Sequence, residues 1–300
     1  LKAGTALTVD GGNITIDSAD DSIHTNDTVT INGGKFQIKA GDDGIHADSA
    51  LVINGGDINI TESYEGLEAA DITINDGNIN LVASDDGLNA AGGNDTSQSA
   101  GVFGGDKFSA SNGTITINGG YIVIDVEGDG VDSNGSITMT NGTVIVNGPE
   151  NSGNGALDYD TTFDISGGVF VAAGNNGMVQ APSTSSSQAS INVSLPSSSS
   201  NSMVSILDAS GNTILSFTPS KTYQSVVIST PELVIGSNYS VYYGGSNSGS
   251  ESDGLYTDGS ASGGTELINF TLSSSVMTVS SSGATEGVSG GMKGGGRPQR

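Results

Sequence analysis

Clusters of carboxylate residues recur at one position of a repeating pattern, and they are the clearest candidates for chemistry in this sequence. The stretch GDDGIHAD, residues 41–48, carries Asp42 and Asp43 before a glycine and adds Asp48 shortly after. Related stretches are ADDSIHTN, SYEGLEAAD, SDDGLNAA and GDGVDSNG. Carboxylates held close together repel one another, so they either take up protons or bind a cation. Ca²⁺ suits such a set, because it takes about six to eight oxygen ligands.

The elements that position these carboxylates follow from an internal repeat of about 22 residues. Within each unit apolar residues alternate with polar ones, as in TINGGKFQIKA, which predicts short half-buried strands separated by turns. One unit alone buries almost nothing, whereas stacked units bury a continuous ladder of apolar side chains. The repeat therefore predicts an all-β protein, a right-handed parallel β-helix. Each unit contains a glycine doublet, or a single glycine that remains of one, which ends at Gly12, Gly34, Gly56, Gly77, Gly120, Gly142 and Gly168.

Stacking of the coils places equivalent residues about 4.8 Å apart. Asp21, Asp43, Glu65 and Asp86 then form one file of carboxylates along an edge of the helix. Neighbouring charges at that spacing repel by about 3 to 4 kcal/mol at an effective dielectric of about 20, which favours a bound cation. A second file consists of His24, His46, Glu68, Asn89, Asp132 and Asp158. Because Asp and Gly also form turns, a solvated acidic turn is the alternative to calcium.

The two histidines are predicted to lie at the surface, hydrated or hydrogen-bonded, and not to ligate a metal ion. Imidazole nitrogen suits transition metals, whereas the surrounding oxygens favour calcium.

The sequence divides into four predicted segments, and the first of them contains an insertion at 92–113 that we expect to leave the array as a long loop. The segments are the β-helix at 1–181, a Ser-rich linker at 182–200, a small β-rich unit that caps or flanks the helix at 201–275, and a flexible tail at 276–300. Since Leu1 aligns with the interior of a coil, we expect a further turn or cap to precede it.

Composition narrows the classes of partner. The chain has 33 acidic and 8 basic residues, a formal net charge of −25, which argues against nucleic acid and anionic membrane surfaces. Its apolar runs are too short to insert into a membrane. Cysteine is absent, so disulfides and thiolate metal sites are excluded. Oligomeric state does not follow from the sequence.

The repeated [VI]TINGG, xIxI and DDG[IL]HA motifs, together with the later LVIGSNYSVYYGG, resemble a family of bacterial carbohydrate-binding β-helix proteins related to polysaccharide lyase family 9. The resemblance covers about residues 1–245. It implies an extracellular, cell-surface location, Ca²⁺ bound between coils, and attachment without cleavage to cellulose and to acidic plant polysaccharides such as polygalacturonate. It also implies a set of candidate calcium ligands: Asp20, Asp21, Asp42, Asp43, Asp48, Glu65, Glu68, Asp71, Asp85, Asp86, Asp129 and Asp132.

Two features of the sequence fit this family resemblance less well. Tryptophan is absent and few tyrosines lie in the coils, although flat cellulose binders usually stack sugars on these rings. A protein this acidic should repel polygalacturonate, so binding of that polymer is expected to pass through calcium bridges.

Two alternative functions remain at this point. A calcium-dependent pectate lyase would need a neutral basic residue to remove a proton, and Lys39 is the best candidate base in the coils. A lysine beside aspartates is held in its charged form, so Lys39 is expected to be an ion-pair partner instead. The second alternative is a passive surface adhesin or scaffold, with the insertion as its contact loop.

Overall fold

The computed structural model describes residues 1–90 and 112–288. The described residues contain strands and turns and no helix, and thus no helix long and apolar enough to cross a membrane. The insertion predicted at 92–113 lies almost entirely outside the described residues.

Nineteen strands build a parallel β-solenoid of about seven turns, which confirms the predicted fold class. They are β1 (Lys2–Ala3), β2 (Ala6–Val9), β3 (Asn13–Asp17), β4 (Ile23–Thr25), β5 (Thr28–Ile31), β6 (Lys35–Lys39), β7 (Ile45–Ile53), β8 (Asp57–Glu62), β9 (Leu67–Ile74), β10 (Asn78–Ala83), β11 (Leu88–Ala90), β12 (Thr114–Ile117), β13 (Tyr121–Val126), β14 (Val131–Ser133), β15 (Ser136–Met139), β16 (Thr143–Asn147), β17 (Asp158–Tyr159), β18 (Thr162–Ile165) and β19 (Val169–Gly174).

Eleven further strands follow the solenoid. They are β20 (Ser190–Ser199), β21 (Val204–Asp208), β22 (Thr213–Phe217), β23 (Tyr223–Ser229), β24 (Asn238–Tyr243), β25 (Ser246–Asn247), β26 (Leu255–Tyr256), β27 (Ala261–Ser262), β28 (Thr265–Thr271), β29 (Val276–Ser280) and β30 (Gly283–Glu286).

The solenoid has two continuous sheets. One contains 12 strands, among them the series β1-β4-β7-β9-β11-β14-β17 that follows the acidic turns. The other runs β3-β6-β8-β10-β13-β16-β19 and then continues into β23, β20, β29 and β30. Ile72 pairs with Ile115 across the insertion, so the array resumes in register after it.

The interior is a ladder of apolar side chains, as the alternating pattern predicts. Ile23, Ile45, Leu67, Leu88 and Val131 stack in successive coils and are all fully buried. Because neighbouring coils contribute the same kind of residue to each column, the core continues through the whole array.

Glycine is required where one coil passes close to the next. The φ angle of Gly34 is +116°, and a Cβ there would lie 3.1 Å from the carbonyl oxygen of Gly12. Gly56 repeats this geometry one coil later, against Gly34. A β-branched residue at Gly34 or Gly56 is therefore expected to be poorly tolerated.

The chain after the solenoid packs on its flank and also extends one of its sheets. A single outward-facing column changes from polar to apolar along the array: Thr15, Gln37, Asn59, Asn80, Val123, Ile145 and Val171. The last three join a second buried cluster with residues of β20 to β24, so the C-terminal unit covers the later coils.

Two predicted segments differ from the structure. Residues 190–199 of the predicted Ser-rich linker form β20, where Ile191 and Val193 are fully buried against β23 and β29. The predicted flexible tail begins with β29 and β30, and only residues 289–300 lie outside the described part. Both β20 and β29 are buried on both faces: Ser190 and Asn192 of β20 are buried along with Ile191 and Val193, and in β29 Val276 joins one buried cluster while Met277 and Val279 join the other. The predicted domain boundaries themselves stay a prediction.

Candidate functional site

The acidic turns bring two files of side chains together along one edge of the solenoid. The first file consists of Asp21, Asp43, Glu65, Asp86 and Asp129, and the second of His24, His46, Glu68, Asn89, Asp132 and Asp158. In the five coils that contain both, the first-file residue precedes the second-file residue by three positions. The in-register stacking expected from the repeat is confirmed for both files.

First-file carboxylates also bind the backbone of the next coil. Asp43 N–H donates to Asp21 Oδ1 at 3.2 Å, and Glu65 N–H donates to Asp43 Oδ1 at 3.2 Å. Asp129 N–H donates to Asp86 Oδ1 at 2.6 Å. In Asp21 and Asp43, one carboxylate oxygen thus holds the turn of the next coil, while the other contacts a histidine of the second file. Sequence reasoning missed this role, although the recurrence of Asp at a fixed position was its signal.

In the earlier coils the second file contributes imidazoles, which form a histidine cluster of Asp21, His24, Asp43, His46 and Glu68. His24 Nδ1 lies 2.6 Å from Asp21 Oδ2, and His46 Nδ1 lies 3.1 Å from Asp43 Oδ2. His46 Nδ1 is also 2.7 Å from Glu68 Oε2. The two imidazole rings stack with their centroids 4.8 Å apart.

The prediction of solvated surface histidines is wrong, because His24 is 8% exposed and His46 is 0% exposed. The prediction that they are hydrogen-bonded is confirmed. Burial acts to lower the pKa of His46, but hydrogen bonds to Asp43 and Glu68 outweigh it and raise that pKa to about 11. In the ion-free protein His46 is therefore an imidazolium.

In the later coils the two files form a carboxylate cluster of Asp86, Asp129 and Asp132, whose oxygens all lie within 4.8 Å of one another. Burial, and then repulsion by neighbouring carboxylates, raises the pKa of Asp132 to about 8. Burial likewise raises the pKa of Asp86 to about 7 and that of Asp129 to about 6. Ionising all three at neutral pH therefore requires a nearby positive charge.

Asn89 lies between the two clusters in the second file and is 5% exposed. Its Nδ2 donates to Glu65 Oε2 at 2.7 Å. Its Oδ1 is buried and has no hydrogen-bond partner among the described residues. Burial raises the pKa of Glu65 to about 9, with further contributions from Glu68 and Asp43. An unpaired buried carbonyl oxygen beside carboxylates is a position where a cation is favourable.

The other predicted ligands lie outside the carboxylate cluster, in several different environments. Asp20 and Asp42 lie with Asp21 in a third, more exposed group whose oxygens are within 4.8 Å of one another. Asp48 contacts His46, with Oδ1 3.2 Å from Nε2. Asp85 accepts a hydrogen bond from the Tyr64 hydroxyl.

Asp71 does not belong to either cluster. It is exposed on β9, where it accepts a hydrogen bond from Thr114 Oγ1 at 2.5 Å. The family resemblance implied that Asp71 is a calcium ligand, but the strand carries its side chain onto a different face from Glu68.

Lys39, the candidate base of the lyase alternative, forms an exposed ion pair. Its Nζ lies 2.7 Å from Glu62 Oε2, and that hydrogen bond raises the pKa of Lys39. The expectation of an ion pair is confirmed, although the partner is Glu62 and not an aspartate of the acidic turn. The charged form of Lys39 is thereby favoured, which is the opposite of what a general base needs.

Comparison with known proteins assigns the chain to a family. Neither the curated proteins nor the solved structures contain a match to the chain. A family model described as carbohydrate-binding domain-containing protein matches residues 1–44 and 42–262, which include the whole solenoid and most of the C-terminal unit. That description favours binding of a polysaccharide over catalysis. The chain belongs to the family of carbohydrate-binding domain-containing proteins.

Proposed function

We propose that the protein is a calcium-dependent, non-catalytic binder of plant cell-wall polysaccharide at the bacterial surface, taking cellulose and acidic sugars such as polygalacturonate. The family supports carbohydrate binding, and the resemblance to proteins related to polysaccharide lyase family 9 supports the polymer class and the location.

The observation that supports calcium binding is the carboxylate cluster, together with the buried Oδ1 of Asn89 in the neighbouring coil, which has no hydrogen-bond partner among the described residues. The charged groups that act on Asp132 are all carboxylates, those of Asp86, Asp129, Asp158 and Asp160. Within the described ranges no basic side chain forms an ion pair with Asp86, Asp129 or Asp132.

The donor set of the carboxylate cluster suits calcium. The three carboxylates supply oxygen ligands only, which a hard cation prefers. Asn89, which pairs with Asp132 in the neighbouring coil, has a further buried carbonyl oxygen. Bound Ca²⁺ would neutralise the repulsion between the carboxylates and would give the Asn89 oxygen a partner.

Calcium would also allow this acidic protein to bind an acidic polymer. A net charge of −25 repels polygalacturonate, so the polymer binds through ions shared between its uronates and the protein's exposed carboxylates. Binding of polygalacturonate should therefore require calcium at the surface, whereas binding of neutral cellulose should require calcium only to keep the coils folded.

A sedimentation assay on insoluble cellulose and on cross-linked polygalacturonate, with calcium or with chelator, tests this proposal. We expect retention on both polymers with calcium and loss of polygalacturonate binding with chelator. Retention on neither polymer in calcium would favour the adhesin or scaffold alternative. Release of unsaturated, ultraviolet-absorbing products would favour the lyase.

A matched pair of variants assigns the effect to the carboxylate cluster. Asp132→Asn removes one charge within the cluster, and Asp71→Asn removes one exposed charge outside it. We expect Asp132→Asn to weaken calcium binding and Asp71→Asn to behave like the parent. Equal behaviour of the two variants would contradict the assignment.

A further inference from the structure

We propose that Asp43, His46 and Glu68 form a second cation centre that takes a divalent transition metal ion such as Zn²⁺, chemically distinct from the calcium centre at the carboxylate cluster. The proposal does not depend on carbohydrate binding, because it follows from the contacts of His46 alone.

Three electron-pair donors converge at this position. His46 Nδ1 lies 3.1 Å from Asp43 Oδ2 and 2.7 Å from Glu68 Oε2, and the three atoms are mutually within 4.8 Å. A single proton on Nδ1 points along one direction and satisfies one carboxylate well. A metal ion that binds between the three atoms displaces the Nδ1 proton to solvent, and it then uses a lone pair from each atom.

The other contacts of the same side chains match those of a metal centre. His46 Nε2 lies 3.2 Å from Asp48 Oδ1, so the remaining ring nitrogen has a carboxylate to receive its proton. Metal-ligating histidines usually donate their second ring N–H in this way, which leaves the facing nitrogen free to bind the ion. Asp43 Oδ1 accepts the Glu65 N–H at 3.2 Å, which holds the carboxylate with Oδ2 toward His46.

Burial keeps these ligands in place. His46 is 0% exposed, and the side chains of Asp43 and Glu68 are 6% and 12% exposed. The ring of His24 stacks on that of His46 at 4.8 Å and is itself held by Asp21. The rotamers of the ligands are therefore constrained by packing, and a metal ion would pay little entropy to organise them.

The donor set favours a transition metal over calcium. Imidazole nitrogen is a common ligand of Zn²⁺, Ni²⁺ and Cu²⁺, whereas Ca²⁺ is bound by oxygen ligands. One nitrogen and two carboxylate oxygens supply three protein ligands, and water would complete the coordination. The carboxylate cluster, which has no imidazole, lacks this preference.

Zinc titration of chelator-stripped protein in the presence of excess Ca²⁺, followed by calorimetry, tests the proposal. We expect one Zn²⁺ per chain to bind while calcium remains at its own centre. Substitution of Co²⁺ should give visible absorption bands and a shifted imidazole resonance in the proton NMR spectrum, which a surface carboxylate site would not produce.

Three variants decide which residues bind. His46→Gln and Glu68→Gln should each weaken zinc binding by about 100-fold or more, since each removes a direct ligand. Asp132→Asn should leave zinc binding unchanged and should weaken calcium binding instead. If His46→Gln does not fold, as judged by circular dichroism, Glu68→Gln and the cobalt spectrum of the parent protein decide the question.

The contrary outcomes are equally specific. Zinc that is displaced by millimolar calcium, or zinc binding that is the same in Glu68→Gln as in the parent, would show that His46 is only a buried imidazolium paired with carboxylates. Either result would overturn the proposal.

Discussion

The histidine cluster and the carboxylate cluster lie along the same edge of the solenoid and follow the same type of turn. They differ in the side chain that faces the stacked carboxylates. In the histidine cluster the residue three positions after the turn Asp is an imidazole, as in Asp43 and His46. In the carboxylate cluster it is another acid, as in Asp129 and Asp132. The repeat therefore fixes the backbone and the first carboxylate, and one variable position decides which cation each pair of coils favours.

The largest expected effect comes from breaking the turn that both clusters share. A Cβ at Gly44 would lie 2.6 Å from the Gly66 carbonyl oxygen and 2.7 Å from Ile60 Cδ1, and one at Gly130 would meet the carbonyl of Ala156. Gly44→Ala and Gly130→Ala should each lower the free energy of unfolding by about 3 kcal/mol in urea denaturation.

Gly4→Ala is the control for these variants, because no atom lies within 4 Å of a Cβ at Gly4. If the clusters are independent, Gly44→Ala should lose zinc and keep calcium, and Gly130→Ala should do the reverse. Joint loss of both ions in both variants, with the fold retained, would refute this independence.

The second prediction concerns how the stability of the ion-free protein depends on pH through Asp132 and His46. The pKa of Asp132 is raised to about 8 by burial and nearby carboxylates, so its folded form binds a proton that the unfolded chain releases near pH 4. Stability should therefore fall as pH rises from about 4 to about 8. His46, with a pKa raised to about 11, stabilises the fold fully below about 6.5, and that contribution is lost as pH rises toward 11.

Urea denaturation in the presence of chelator, repeated across this pH range, measures the free energy of unfolding in both pH intervals. Asp132→Asn should make the fall in stability between about pH 4 and 8 shallower, with Asp86 and Asp129 still contributing to it, and His46→Gln should remove the contribution of His46 above about pH 6.5. Calcium at about 100 times its dissociation constant should add about 2.7 kcal/mol at neutral pH. A parent protein whose stability rises between pH 5 and 8 in chelator would be inconsistent with the raised pKa of Asp132.

The third prediction concerns a substitution at the variable position, the residue three positions after the turn Asp. Asp132→His places an imidazole three residues after Asp129, as His46 follows Asp43. Calcium affinity at the carboxylate cluster should fall by about 100-fold, and a second zinc equivalent should appear in the calorimetric titration, because nitrogen replaces an oxygen ligand. Unchanged selectivity would show that the backbone of each coil, and not this residue, selects the ion.

The smallest effect concerns a different corner, where stacked side chains are neutral. Asn54 Nδ2 donates to Asn32 Oδ1 at 2.8 Å, and Asn75 Nδ2 donates to Asn54 Oδ1 at 2.8 Å. Asn54→Ala should lower the free energy of unfolding by about 0.5 to 1 kcal/mol, with no change in the binding of either ion. A larger loss, or any dependence of that loss on calcium, would mean that this corner is coupled to the acidic edge.

The sequence predicts the coils and both files because stacking in register turns a period of about 22 residues directly into spatial columns. It does not predict the burial of His46, since a polar residue flanked by acids at the start of a strand is expected to be solvent-exposed and becomes buried only when neighbouring coils cover it. This is why the histidines were predicted to be surface residues, whereas the structure makes His46 a candidate ligand.

The sequence predicts that the C-terminal unit caps or flanks the solenoid, but it does not decide between these two arrangements. The lateral packing of the C-terminal unit is visible in hindsight in the change from Asn80 to Val123 along one outward column. Without the structure an outward valine in a solenoid has no identifiable partner. The strand β20 was missed because its Ser-rich composition concealed the alternation of Ile191 and Val193.

Anomalous X-ray diffraction from crystals grown with both Ca²⁺ and Zn²⁺ at neutral pH tests most directly whether the acidic edge holds two kinds of cation. We predict a peak at the zinc absorption edge between Asp43, His46 and Glu68. We also predict a calcium ion with oxygen ligands among Asp86, Asp129 and Asp132. Ordered water alone at both positions would contradict the claim that these files bind cations, and the same ion at both would contradict the distinction between them.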